Sequence, residues 1–296
     1  MSTTAKSAPS PWGVGDAMTQ TVHALPNIGR IAWSTFREAL RRKILQILLI
    51  FAVVTIASSQ MFAYMSPGEE LKFILDMSLG AMRLFGMLIA VMLGAYLIPT
   101  EVERKTIHVI LAKPLRRADF LFGKFAGAFL TVVINVVLMS AVFFIVFLLK
   151  ARNPEFASQF DRLIMLPNLI KAILLLVFEM SIITAIAVTF STVSSSVFTV
   201  VLSFFLYFTG HLSSFLHHLA EPAHGGNTGM LSGANRFLLD GVSTIVPHYE
   251  MFDVRQAFAT GVVVAPDYVL KALLYALVYT VVAVLVGYVL FNEREF

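Results

Sequence analysis

Six long apolar segments divide the chain, and almost every charge falls between them rather than inside them. Phe125–Leu149 holds no ionisable residue and only Asn135 as a strongly polar one, and Ile44–Met65 is equally free of charge. A bilayer core takes about twenty apolar helical residues to cross, and both stretches meet that. The other four are Leu84–Pro99, Ala172–Phe190, Val197–Leu219 and Ala272–Phe291. These runs are continuous, not alternating, and too long for barrel strands, so the spans are helices. The expected fold is an all-α membrane protein with six transmembrane helices.

Composition agrees. Hydrophobic residues make up 58% and charged ones 14%, against roughly 45–50% and 25% in soluble domains. With no cysteine, disulfides, zinc–thiolate sites and thiol nucleophiles are excluded. A net charge of +4 is explained by Lys and Arg gathering in cytoplasmic loops, and nucleic acid is not needed as a partner. Residues 1–26 are rich in Ser, Thr, Ala and Pro and lack an apolar h-region, which reads as a disordered cytoplasmic tail rather than a signal peptide. Residues 27–296 then form a single transmembrane domain.

Basic residues set the direction. Arg37, Arg41, Arg42 and Lys43 precede the first span, and Arg104, Lys105, Lys113, Arg116, Arg117 and Lys124 crowd the second loop. Lys72, Arg83, Lys150, Arg152, Arg162, Lys171, Arg255 and Lys271 are spread more thinly over the other side. The denser set faces the cytoplasm, with both termini inside.

Before the first span, Ile28, Ile31, Ala32, Phe36, Ala39 and Leu40 recur at helical spacing, opposite Arg30, Ser34, Arg37 and Arg41. That pattern fits a helix lying in the membrane interface, its basic face toward anionic lipid headgroups; a helical start to the first span is the alternative. In the loop Thr100–Lys124, Glu101, Arg104, Lys105 and His108 share one polar helical face, and Glu101 can pair with Lys105. Pro114 stops that helix, and Asp119 can cap the third span. The loop is either a docking element for a soluble partner or a solvated carrier of positive-inside charge.

The run Ile98-Pro-Thr-Glu-Val-Glu-Arg-Lys-Thr-Ile and the following Leu111-Ala-Lys-Pro-Leu-Arg-Arg-Ala-Asp-Phe-Leu-Phe-Gly-Lys124 resemble the cytoplasmic signature of ABC-2-type transporter permeases. Lys105 stands where that family often has Gly, and Arg116 where it often has Ser. The C-terminal Tyr288-Val-Leu-Phe-Asn-Glu-Arg-Glu-Phe296 is similar to the family's usual ending. Among subgroups, the chain looks most like permeases linked with maturation of multi-copper enzymes.

The resemblance implies an ABC-2 (type V) permease fold with an N-terminal interfacial helix and a cytoplasmic coupling helix. It implies a bacterial inner-membrane location, a second permease chain (identical or paralogous) and two copies of a separate ATPase subunit. It assigns ATPase coupling to Glu101, Glu103, Arg104, Lys105, His108, Arg116 and Arg117. The residues agree with a separate motor: Ala118 stands where a Gly-x4-Gly-Lys-[Ser/Thr] loop ending at Gly123-Lys124 needs its first glycine, and Phe125 follows. Such a chain cannot cradle ATP phosphates and is expected to carry no cofactor.

Ionisable residues inside spans mark functional sites. Glu179 lies within the fourth span, Arg83 opens the second from outside, and Asp76 precedes it by two turns on the same face. A buried Glu179–Arg83 pair is one reading; Arg83 reaching the headgroups, with Glu179 hydrogen-bonded to a nearby serine or carbonyl, is the other. His211, His217, His218, His224 and His248 lie toward the outer side. His218, Glu221 and His224 are three apart, but Pro222 breaks any helix between them, so loop histidines are expected and no metal site. Met77, Met82, Met87 and Met92 recur every five residues. Each is rotated by about 140° from the last, so they serve packing rather than a metal relay. The segment Glu221–Tyr268 is an outer one, in which Phe237–Val246 is too short to span and reads as re-entrant or interfacial.

Two other functions are weighed. An intramembrane prenyl-type endopeptidase is suggested by Glu69-Glu70, but Ile74 replaces the required Arg and no Phe-x3-His follows; His-Glu-x2-His is also absent. A secondary transporter usually shows internal repeats, and residues 44–149 and 172–291 share none.

Overall fold

The computed structural model describes residues 28–65, 68–100, 117–151, 162–220, 246–260 and 262–293. Helix α1 covers residues 28–40. Then come α2 (Lys43–Ala63), α3 (Glu70–Leu97), α4 (Arg117–Ala151), α5 (Arg162–Val193) and α6 (Ser196–Ala220). A 3-10 turn, Tyr249–Phe252, and a short helix α7 (Arg255–Thr260) precede the last helix, α8 (Pro266–Glu293). Five of these, α2, α3, α4, α5 and α8, are long and apolar enough to cross a membrane; the apolar part of α6 runs Ser196–His211. Helices close every backbone hydrogen bond within the segment, which hydrocarbon demands.

The apolar segments sit where expected, but several helices begin well before the predicted bounds, α3 and α5 by the most. α3 begins at Glu70 instead of Leu84, so Arg83 lies near its middle, not at its mouth. α5 begins at Arg162 instead of Ala172 and absorbs Pro167. Asp119 falls in the first turn of α4, where its charge complements the helix dipole, rather than before that helix as a cap.

α3 and α5 form the centre, with 61% and 72% of their apolar windows buried, against 22% for α2 and 17% for α8. Small residues let these helices approach closely, as packing in lipid requires. A Cβ added at Gly94 of α3 would lie 2.5 Å from the Ala187 Cβ of α5. α8 meets α5 at Gly287, where an added Cβ would lie 2.9 Å from Thr189 Oγ1. Thr189 Oγ1 donates to the Ala283 carbonyl at 2.7 Å, and Ser181 pairs with Thr280 at 3.1 Å. Met82 and Met87 are fully buried packing residues of α3.

α1 presents the basic face the sequence predicts: Arg30, Arg37 and Arg41 are exposed, while Thr35, Phe36 and Ala39 are buried. Its apolar face seats on α4 through a pair of glycines one turn apart. An added Cβ would meet Ile31 Cβ at 2.7 Å from Gly123 and the Ala32 carbonyl at 2.5 Å from Gly127. Leu40, placed in the apolar stripe from its spacing, is instead exposed.

Contacts at the two ends separate the faces of the bundle. At one end Lys150 of α4 bonds Glu70 of α3 at 2.7 Å and lies 4.2 Å over the Tyr64 ring. At the other, Arg117 donates to the carbonyls of Phe291 and Asn292 at 3.5 and 3.0 Å. α5 and α6 turn sharply there, Ser194 bridging Thr199 at 2.8 Å.

The main departure from expectation is the segment before α8. Tyr249–Thr260 does not lie over the bundle as an outer loop but packs into it against α3, α5 and α6, with Tyr249 and Phe252 each 1% exposed. Asn168 of α5 anchors the link from this segment to α8, donating to the Val262 carbonyl at 3.0 Å and accepting from Val264 N at 3.1 Å. Lys171 caps the Val264 carbonyl at 2.5 Å, and Tyr268 donates to the Met251 carbonyl at 2.8 Å. Asn168→Ala leaves two backbone groups without partners, at a cost of about 1–2 kcal/mol. Hydrogen exchange at the Val264 amide should speed up roughly tenfold; an unchanged rate would show that Asn168 does not hold the segment.

Candidate functional site

Arg83 is the hub. Measured from Glu70 it lies about 20 Å along α3, well inside the apolar length. Its Nε donates to Glu179 Oε2 on α5 at 3.0 Å and its Nη1 to Asp253 Oδ2 at 2.6 Å. Nη2 donates to the Phe252 carbonyl at 3.2 Å. Arg255 closes the group, its Nε lying 3.0 Å from both Asp253 oxygens and its Nη2 2.6 Å from Oδ2. Two arginines thus face two carboxylates, and their formal charges balance. That balance is what permits the cluster in a low-dielectric interior, where an unpaired ion costs several kcal/mol.

Burial falls steeply across the group. The Glu179 side chain is fully buried, Arg83 is 11% exposed, Asp253 25% and Arg255 41%. Burial alone would push the Asp253 carboxyl up, but its hydrogen bonds from Arg255 and the Arg83 charge outweigh that and hold it well below the usual carboxylate range. The outer segment is therefore bound to the bundle through a charged carboxylate at neutral pH.

The cluster leaves one side unfilled. Glu179 Oε1 and both His211 ring nitrogens have no hydrogen-bond partner among the described residues. His211 Nε2 stands 3.9 Å from Glu179 Oε1, too far for a hydrogen bond. Aromatic rings hold the imidazole: Tyr207 at 4.5 Å and Tyr249 at 5.4 Å between centroids. Leu79, Arg83, Leu176, Phe252 and Asp253 line a cavity of about 10 Å³, room for about one water.

Of the residues singled out in the sequence, the structure joins Glu179 to Arg83 and rejects the reading in which Arg83 reaches the headgroups. Asp76 is exposed and forms no ion pair with Arg83, whose second carboxylate partner is Asp253. Asp253 and Arg255 carry no sequence signal, since a two-residue spacing inside Phe-Asp-Val-Arg reads as an ordinary loop. His211 reads in the sequence only as one of the outer histidines.

Of the residues expected to couple to an ATPase, Arg117 opens α4 and binds the end of α8. Glu101, Glu103, Arg104, Lys105, His108 and Arg116 lie outside the described residues, as do residues 1–26, Glu221, His224 and most of the apolar run Phe237–Val246. The side chains of His217 and His218 also lie outside them. No group of three or more His, Asp or Glu side chains able to hold a metal occurs among the described residues.

The family model described as ABC-2 family transporter protein matches residues 29–296. No curated protein matches the chain.

Proposed function

The chain belongs to the ABC-2 family of transporter proteins, and from that premise we propose that it is the membrane-spanning permease subunit of an ATP-binding cassette pump. The observation that carries this is the family match over 29–296, joined to a bundle of long apolar helices. In this reading the chain crosses the bacterial inner membrane six times, α6 being the fifth span, with both termini in the cytoplasm. It pairs with a second permease chain, and two copies of a separate ATPase subunit supply the energy. The family match does not extend to the finer likeness to permeases of multi-copper enzyme maturation.

In this reading motion passes mechanically through the bundle. The 101–116 loop is the proposed grip for the ATPase, and Arg117, directly after it, is tied to the last carbonyls of α8. α8 packs closely on α5 at Gly287 and Thr189, and α5 carries Glu179, which holds Arg83. Arg83 in turn holds the inserted segment through Asp253 and the Phe252 carbonyl. Motion of the loop is thereby transmitted toward the outer closure of the bundle.

Co-purification of a cassette ATPase with the tagged chain, and ATPase activity in the reconstituted complex, test the reading. Glu179→Gln keeps the shape and a hydrogen bond to Arg83 but removes the charge. It is expected to lower transport-coupled ATPase activity about tenfold while assembly with the ATPase is retained, the loss corresponding to ~1.4 kcal/mol. Unchanged coupling in that variant removes Glu179 from the mechanism.

A further inference from the structure

The Arg83 site has the form of a binding site filled by the protein's own carboxylate. Arg83 uses Nε for Glu179 and turns its two terminal nitrogens to the inserted segment, Nη1 to Asp253 and Nη2 to the Phe252 carbonyl. That paired presentation is how a guanidinium receives a planar carboxylate or a phosphate. Beside it lie Glu179 Oε1, an acceptor without a donor among the described residues, and the His211 imidazole 3.9 Å away. The tilted rings of Tyr207 and Tyr249, 5.2 Å apart between centroids, line the same side. Unpaired polar atoms next to a fully buried carboxylate are costly to leave, and they point toward a group not yet present.

Lifting Tyr249–Thr260 away, as any route through this part of the bundle requires, removes Asp253 and the Phe252 carbonyl from Arg83 together. Arg255 leaves with them, so the Arg83–Glu179 pair stays balanced in charge, but Nη1 and Nη2 are left without acceptors in an interior where unmade hydrogen bonds of a charged group are costly. A ligand shifts such an equilibrium only through what it binds better in one state. A carboxylate or phosphate that takes the vacated nitrogens restores two charge-assisted hydrogen bonds and supplies that difference; a neutral molecule without paired acceptors does not. A hydroxyl or ammonium beside the anion would also satisfy Glu179 Oε1.

We infer that Asp253 is a stand-in ligand, and that the cargo carries a carboxylate or phosphate, next to a hydrogen-bond donor, which displaces Asp253 from Arg83 as the outer segment opens. The inference rests on the permease reading and names the cargo class for that same site.

The test uses the absence of cysteine from the chain. Val254→Cys, 8% exposed on the inserted segment between Asp253 and Arg255, places the sole thiol where it reacts only when the segment lifts. The full-length variant in zwitterionic lipid nanodiscs, without ATPase or nucleotide, is labelled with a water-soluble maleimide. The probes are octanoate, octyl phosphate, octanol and octylamine. Octanoate, octyl phosphate or both should raise the labelling rate about fivefold or more, with little change from octanol or octylamine. A response to one anion alone distinguishes a carboxylate cargo from a phosphate one. Arg83→Lys, which keeps the charge but loses the fork, should lose most of the response. Equal effects of all four probes, no effect of either anion, or a full response in Arg83→Lys overturns the inference. A second arm adds the co-purified ATPase with ATP. An anion response without any nucleotide response keeps the inference and defeats driven transport; the converse defeats the inference alone.

Discussion

Arg83→Met is expected to destabilise the folded bundle by about 3–5 kcal/mol, the usual cost of removing one partner from a buried ion pair. The change keeps most of the side-chain volume, so the loss is electrostatic rather than a cavity effect. It strands Glu179, whose side chain has no exposure, and leaves Asp253 with Arg255 alone. Adding Glu179→Gln to Arg83→Met removes the stranded charge and should restore about half of the loss, because replacing both partners is far less costly than removing one. Thermal or chemical unfolding of the three variants in nanodiscs measures both numbers. A single variant as stable as the unaltered chain would mean that the cluster is not held together by charge.

Gly94→Val is the second large effect, and its origin is purely steric. A Cβ at Gly94 lies 2.5 Å from the Ala187 Cβ and 3.1 Å from both the Ala187 carbonyl carbon and Val188 N. Backbone atoms of a buried helix cannot turn aside, so α3 and α5 must separate, at about 3 kcal/mol by the usual cost of overpacking. Arg83 and Glu179 lie on the same two helices about two to three turns away, and the separation also stretches their 3.0 Å contact. Loss of ATPase coupling should therefore accompany the loss of stability. Gly29→Ala is the control, since a Cβ there meets nothing within 4 Å. Stability measurements that rank the two variants equally would contradict the close approach of α3 and α5.

Hydrophobic runs make the helices legible, because lipid allows only long apolar segments with internally satisfied backbones. Their ends are less legible wherever a charge lies inside a helix. By sequence Arg83 marks the start of a span, since an isolated cation is costly there; the compensating Asp253 is distant in sequence and joins only through tertiary contact. Residues 249–260 are hidden for a related reason. The segment is too short to span, and its burial depends on tertiary partners: Arg83 takes the Phe252 carbonyl and Asp253, and Asn168 and Tyr275 hold the flanking Val262 and His248. The Glu179–Arg83 pair is readable because both residues break long apolar runs. Asp253 and Arg255 break none.

Coupling to a separate motor depends most directly on where the 101–116 loop lies and what it grips. Lys105→Cys, carrying a photoreactive maleimide as the chain's sole thiol adduct, can be crosslinked in native membranes. The expected result is capture of a cassette ATPase that contains the Gly-rich phosphate loop this chain lacks, and no reaction of that thiol with an impermeant reagent added outside intact cells. Labelling from outside, with no ATPase captured, would contradict a cytoplasmic coupling loop.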